Sequence, residues 1–86
     1  MFNVEFSAKA RKFLKKIEAI NWKRITQEIE KLQSDPFPSD IKRVVGRKEK
    51  TFRVRIGSYR ILYVVFFDRN LIFISKIDKR PRAFQN

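Results

Sequence analysis

Three arginines stand close together in the run Phe52-Arg53-Val54-Arg55-Ile56-Gly57-Ser58-Tyr59-Arg60-Ile61-Leu62-Tyr63. Guanidinium groups stay charged at any physiological pH, and their forked N–H groups meet phosphate oxygens two at a time. Arginines gathered on one surface therefore suit phosphate recognition, so the first question is whether these three share a face. Apolar residues alternate at period two on both sides of Gly57-Ser58, as expected of half-buried strands. Glycine first in a two-residue loop signals a type II′ hairpin, and that turn sets Ile56 opposite Tyr59 and Arg55 opposite Arg60. Phe52, Val54, Ile56, Tyr59, Ile61 and Tyr63 then fall on one face, and Arg53, Arg55 and Arg60 on the other. Like charges directly opposed on a sheet cost ~0.2–1 kcal/mol, so truncating Arg55 or Arg60 is expected to leave the melting temperature unchanged or slightly higher. An isolated basic strand usually reads as solvated surface; the shared parity of three arginines favours a phosphate site instead.

Such a site can support chemistry on RNA, which carries its own nucleophile in the 2′-hydroxyl. Strand cleavage then needs alignment, stabilisation of charge on the phosphorus and proton transfer. Arginines serve the first two, because preorganised charge is commonly the largest catalytic contribution. Arg is an ineffective base near neutral pH. The nearby titratable cations are Lys48, Lys50, Lys76 and Lys79, each of which taken singly reads as a surface lysine. The parity of the hairpin extends to Lys76 and Arg80 if the last strand pairs in turn, bringing five cations onto one surface. Asp78 is placed to neutralise one of them, Arg60.

The elements that must position these residues are legible in the rest of the chain. Phe2, Val4 and Phe6 alternate with Asn3 and Glu5, an opening strand. Ser7 is a candidate N-cap, after which Ala10, Phe13, Leu14, Ile17 and Ile20 recur at helical spacing, with Lys9, Arg11, Lys12, Lys15 and Lys16 outward. Asn21 is a second candidate cap, and Trp22, Ile25, Ile29 and Leu32 continue the helical period. Helices over 8–20 and 22–34 form a hairpin that Asp35-Pro36-Phe37-Pro38 ends. Val44-Val45 reads as a weak strand, followed by strands at 51–56, 59–67 and 71–78. A three-residue turn at Asp68-Arg69-Asn70 would pair Ile61 with Ile77 and Val65 with Phe73. The order β-α-α-β-β-β-β implies an α+β fold, with the helical hairpin packed on one face of a mainly antiparallel sheet in a single domain, 1–86.

Composition narrows the function classes. The 86 residues hold 21 Lys+Arg against 9 Asp+Glu, a formal +12, and neither His nor Cys. Disulfides, thiolate zinc sites, Cys nucleophiles and Ser-His triads are excluded, and no metal site or cofactor is expected. Residues 1–40 carry eight Lys/Arg against six Asp/Glu, whereas residues 41–86 carry thirteen against three, so the basic surface belongs to the second half. A field of that size favours a polyanion or an acidic partner. No apolar run approaches the ~20 residues a bilayer needs, and the opening MFNVEF does not resemble a signal peptide, so the expected setting is soluble and cytoplasmic. Leu62, Val64, Phe66, Ile72 and Ile74 share parity with the arginines and are expected to lie exposed beside them as a binding patch, unless residues 79–86 or the segment around Phe37 fold over it.

The hairpin run resembles the hallmark strand pair of the RelE/ParE superfamily of toxins from prokaryotic toxin–antitoxin modules. The opening strand ending Phe6-Ser7, the helical hairpin with Ala10 and Leu14, the Val45-Gly46 step and the basic end Arg80-Pro81-Arg82-Ala83-Phe84 agree with it. The resemblance implies a RelE-like mRNA endonuclease that enters the ribosomal A site and cleaves the codon there by metal-independent 2′-hydroxyl attack, inhibiting translation. It implies a cognate RelB-like antitoxin, with the ribosome and mRNA as further partners. Carried over by position, Arg53, Arg55, Arg60 and Arg80 are the implied catalytic residues. Lys48, Lys50, Lys76, Lys79, Arg82 and Phe84 are implied to bind RNA, and the apolar patch to receive the antitoxin. Phe84 stands where many RelE members have a tyrosine, keeping the stacking ring without the hydroxyl. The alternatives are a ParE-like DNA gyrase poison, or a weak or decayed toxin acting as a basic binding module.

Overall fold

The computed structural model describes residues 1–79. Arg80, Arg82 and Phe84 lie outside the described residues. The elements run β1 (Asn3–Phe6), α1 (Ala8–Lys16), α2 (Ala19–Ser34), β2 (Lys42–Val44), β3 (Thr51–Ile56), β4 (Tyr59–Phe66) and β5 (Leu71–Lys79), with one 3-10 turn at Phe67–Arg69 before β5. The five strands form one sheet in the order β1-β5-β4-β3-β2. β1 runs parallel to β5, and the remaining neighbours are antiparallel.

Ser7 caps α1 as its position suggests: its hydroxyl accepts from the Ala10 N–H at 3.0 Å, supplying one of the partners a helix start lacks. The same hydroxyl donates to the Ser75 carbonyl at 2.8 Å, tying the helix start to β5. The helix joint differs from the expectation. Ile17 and Glu18 both adopt extended backbone, so α2 begins at Ala19 with Glu18 as its cap, and Asn21 lies inside the helix. Ile17 turns toward the core from this joint, whereas Ile20 and Trp22 are 68% and 49% exposed. The helical period read through Ile20 and Trp22 therefore overestimates the buried face of α2, which is carried by Ile25, Ile29 and Leu32.

These three side chains and Ala10 of α1 meet Val54, Ile61, Tyr63, Ile72, Ile74 and Ile77 of the sheet. Each fully buried aliphatic side chain in this cluster contributes ~1.5–3 kcal/mol relative to exposure. The segment after α2 is fixed to the core by the Tyr63 hydroxyl, which donates to the Pro36 carbonyl at 2.6 Å. β2 is displaced from the expected Val44-Val45: it runs Lys42–Val44, Val45 is 85% exposed, and Gly46 follows at φ +83°.

The β3–β4 hairpin has the expected register, with Arg55 opposite Arg60 and Ile56 opposite Tyr59. Gly57 takes φ +57° and Ser58 does not share the positive φ, as a type II′ turn requires. The β4–β5 pairing departs from expectation halfway along. Ile61 pairs with Ile77 and Leu62 with Lys76, but a bulge then shifts the ladder, so that Tyr63 faces Ile74 and Val65 faces Ile72 rather than Phe73.

Candidate functional site

Call the face of the sheet away from the helices the distal face. Its residues follow from the ladder, because cross-strand partners share a face. One row across it reads Arg55, Arg60, Asp78, and the next Lys42, Arg53, Leu62, Lys76. Arg53, Arg55, Arg60 and Lys76 are thus gathered on one surface. Arg60 donates from Nε to Oδ1 of Asp78 at 2.9 Å and from Nη2 to Oδ2 at 2.7 Å. Lys76 approaches the same Oδ2 to 3.6 Å. The hydrogen bonds to Asp78 raise the Arg60 pKa; burial opposes this and the carboxylate charge adds to it. Burial alone would push the Asp78 carboxyl up, but the hydrogen bond and charge of Arg60, with the charge of Lys76, hold it below its ordinary value. One carboxylate is therefore shared by two cations, and the row retains net positive charge. Arg53 is half-buried and its Nε is enclosed without a hydrogen-bond partner among the described residues. A buried donor of that kind is costly.

Of the remaining cations, Lys48 stands with Arg47 beside an apolar hollow of about 370 Å³ on the distal face, and Lys50 is exposed in the loop before β3. Lys79 does not join the arginines: it lies opposite Tyr59, on the helix side, and borders a separate hollow with Phe13 and Lys16.

The expected apolar patch divides. Leu62 and Val64 lie on the distal face but are only 6% exposed, and Phe66 is half-buried beside them. Ile72 and Ile74 are not on this face. They are fully buried in the helix-side core, because the bulge moves β5 by one residue and a one-residue slip exchanges the two faces of a strand. Phe73 and Ser75 take the distal positions instead and line the 370 Å³ hollow with Val64 and Phe66. Ser75 has no partner in the ladder; its hydroxyl donates to the Leu62 carbonyl at 3.2 Å. A polar serine between Ile74 and Lys76 is the one sequence signal that could have marked the shift.

Among the described residues no helix is long and apolar enough to cross a membrane, and no group of three His, Cys, Asp or Glu side chains is arranged to hold a metal ion.

The family model of the ParE toxin of type II toxin–antitoxin systems, parDE, matches residues 4–84. A curated relative from Methanocaldococcus jannaschii, named as a candidate toxin, RelE1, is 42% identical over 88 residues, covering 99% of this chain and 97% of its own length. The archaeal RelE–RelB complex from Pyrococcus horikoshii contains a chain that superposes with TM-score 0.82 at 26% identity, over 95% of this chain and 98% of that one. The RelBE2 toxin–antitoxin complex from Mycobacterium tuberculosis gives TM-score 0.77 at 26% identity, over 92% and 98%. Isolated E. coli RelE has the same fold, with TM-score 0.84 at 15% identity over 99% and 90%.

Proposed function

The chain belongs to the ParE toxin family of type II toxin–antitoxin systems, within the RelE/ParE superfamily, and from that premise we propose that it is a ribosome-dependent mRNA endonuclease that inhibits translation. The observation that carries this reading is the row of opposed Arg55 and Arg60 with half-buried Arg53 beside it. Three guanidinium groups side by side on one sheet face match the oxygens of a phosphodiester, which a toxin acting only through protein contact does not need. In the reaction, the 2′-hydroxyl of the message gives its proton to solvent as its oxygen attacks the adjacent phosphorus, the bond to the 5′-oxygen breaks, that oxygen takes up a proton from solvent, and a 2′,3′-cyclic phosphate and a 5′-hydroxyl result. The arginine row aligns the phosphodiester and stabilises the charge that builds on its non-bridging oxygens. Arg80 contributes to the same charge, and Arg82 and Phe84 hold the adjoining nucleotide, the ring by stacking.

The partner is a RelB-like antitoxin. The hollow walled by Val64, Phe66 and Phe73, with Arg47 and Lys48 alongside, suits a segment that offers apolar side chains flanked by carboxylates. Val64 contributes to that wall and Leu62 lies nearly covered on the same face, whereas Ile72 and Ile74 support it from the core.

A ParE-like action on DNA gyrase is the second reading, favoured by the family model that spans residues 4–84. Primer extension on translated mRNA after induced expression separates the two. Cuts between codon positions in translated regions support the nuclease; intact message with arrested replication supports the second reading.

A further inference from the structure

Away from the arginine row, α1 carries a second concentration of charge. Its nine residues include Lys9, Arg11, Lys12, Lys15 and Lys16 and no acid. Like charges three or four positions apart on a helix destabilise it by ~0.2–0.5 kcal/mol per pair, so solubility alone is a poor reason for this density. Arg11 has a structural task, donating from Nη1 to the Phe6 carbonyl at 3.0 Å. Lys9, Lys12 and Lys16 differ: spaced by three and four, they line one flank of the helix. There they border a hollow of about 320 Å³ that Phe13, Lys76, Ile77 and Asp78 also line. Four lysines line this hollow and its single acidic residue is Asp78, already bonded to Arg60 and approached by Lys76. Among the described residues, no ion pair involves an α1 cation.

Lys76 joins the two basic regions. It belongs to the distal face through its pairing with Leu62 and borders the α1 hollow at the edge of β5. Positive surface therefore passes continuously from the arginine row, around β5, onto α1. Lys9 and Lys16 are seven residues apart, about 10 Å along the helix at 1.5 Å per residue, a span of two to three nucleotides. Regularly spaced cations beside a half-buried aromatic ring are elements of single-stranded nucleic-acid binding.

We propose that Lys9, Lys12 and Lys16, joined through Lys76 to the arginine row, form a track for the phosphate backbone of single-stranded RNA flanking the reacting phosphodiester. This rests on the RNA reading of the arginine row. The track makes affinity depend on RNA length, since a short strand fills only the arginine row and a longer one reaches α1.

The test is fluorescence anisotropy with labelled single-stranded RNAs of about four and about twelve nucleotides over a range of salt. It compares the wild-type chain, the combined variant Lys9→Gln, Lys12→Gln, Lys16→Gln, and Arg60→Ala. The triple variant is expected to lose about tenfold or more on the long RNA and less than about twofold on the short one. Its log–log salt slope on the long RNA should fall by about 2, following −0.7 per phosphate neutralised. Glutamine is a good helix former and removes repulsion, so the variant should melt no lower than wild type. Wild-type affinity of the triple variant for the long RNA overturns the proposal, as does equal loss on both lengths. Competition by a polyglutamate peptide as strong as that by RNA of matched length also overturns it, in favour of an acidic protein partner. If Arg60→Ala leaves the short-RNA affinity unchanged, the arginine-row reading fails, while the triple variant still decides the track.

Discussion

Arg60 and Asp78 face one another across the β4–β5 ladder and are joined by two hydrogen bonds, 2.9 Å and 2.7 Å. On its other side Arg60 faces Arg55. Parity alone implies that truncating Arg60 relieves a repulsion and leaves stability unchanged or improved. The two-point pair reverses that expectation, because its loss strands Asp78 beside only Lys76.

Arg60→Ala is therefore expected to cost about 1 kcal/mol, since both side chains are partly exposed, and to lower the melting temperature by about 4–8 °C. Single-turnover cleavage of ribosome-bound message should fall further, by about 10²–10³-fold if Arg60 stabilises developing charge. Thermal melts and cleavage on the same preparations check both. Equal cleavage by the two proteins assigns Arg60 to structure alone.

Asp78→Asn gives the pH dependence of the same pair. The folded carboxyl titrates below its unfolded value near 3.9, so its ionised form stabilises the fold above that value. The stabilisation is lost as pH falls through the folded pKa. The difference in melting temperature between wild type and Asp78→Asn should be constant around neutrality, begin to shrink as pH falls below about 4, and vanish only below the folded pKa. Melts across that range test it, and a difference that persists into strong acid contradicts the assignment.

Tyr63→Phe addresses the alkaline side. Burial pushes the phenol well above its ordinary value near 10, and the charges of Asp40, Asp35 and Glu28 add to the rise. A raised folded pKa means that the stability linked to the proton is complete below about pH 10 and is lost as pH climbs toward the folded value. Removing the hydroxyl should cost about 1–2 kcal/mol at neutral pH, with the Pro36 carbonyl losing its donor, and should flatten the alkaline decline. Chemical denaturation at neutral and alkaline pH measures both effects.

Ile74→Ala and Phe73→Ala test the bulged register. Ile74 is fully buried in the helix-side core, and its truncation should cost about 2–5 kcal/mol. Phe73 is half-buried beside the distal hollow, so its truncation should cost less and weaken antitoxin binding instead. Urea denaturation with calorimetric titration of the antitoxin distinguishes them. The opposite ranking would restore an unbulged ladder.

Local chemistry fixed part of this protein. Gly57 and Ser58 determine a turn, the turn determines the Arg55–Arg60 pairing, and period two carries every side chain of β3 and β4 to its face. Ser7 likewise announces its helix by residue type and position. What local pattern could not reveal is where a ladder slips or a helical period breaks. Ile72, Phe73 and Ile74 are all apolar, so either register hides an acceptable set and sequence alone gives no preference. The decision belongs to contacts distant in the chain: Ser7 Oγ binding the Ser75 carbonyl across 68 positions, and β1 lying parallel to β5 with Phe6 opposite Ile74. The helix joint behaves in the same way, with Ile17 drawn into the core while Ile20 and Trp22, apolar at plausible spacing, are left outside it. Turn geometry is a property of four adjacent residues and can be read from them. Which face of β5 meets the helices is a property of the whole packed layer, and only the tertiary structure decides it.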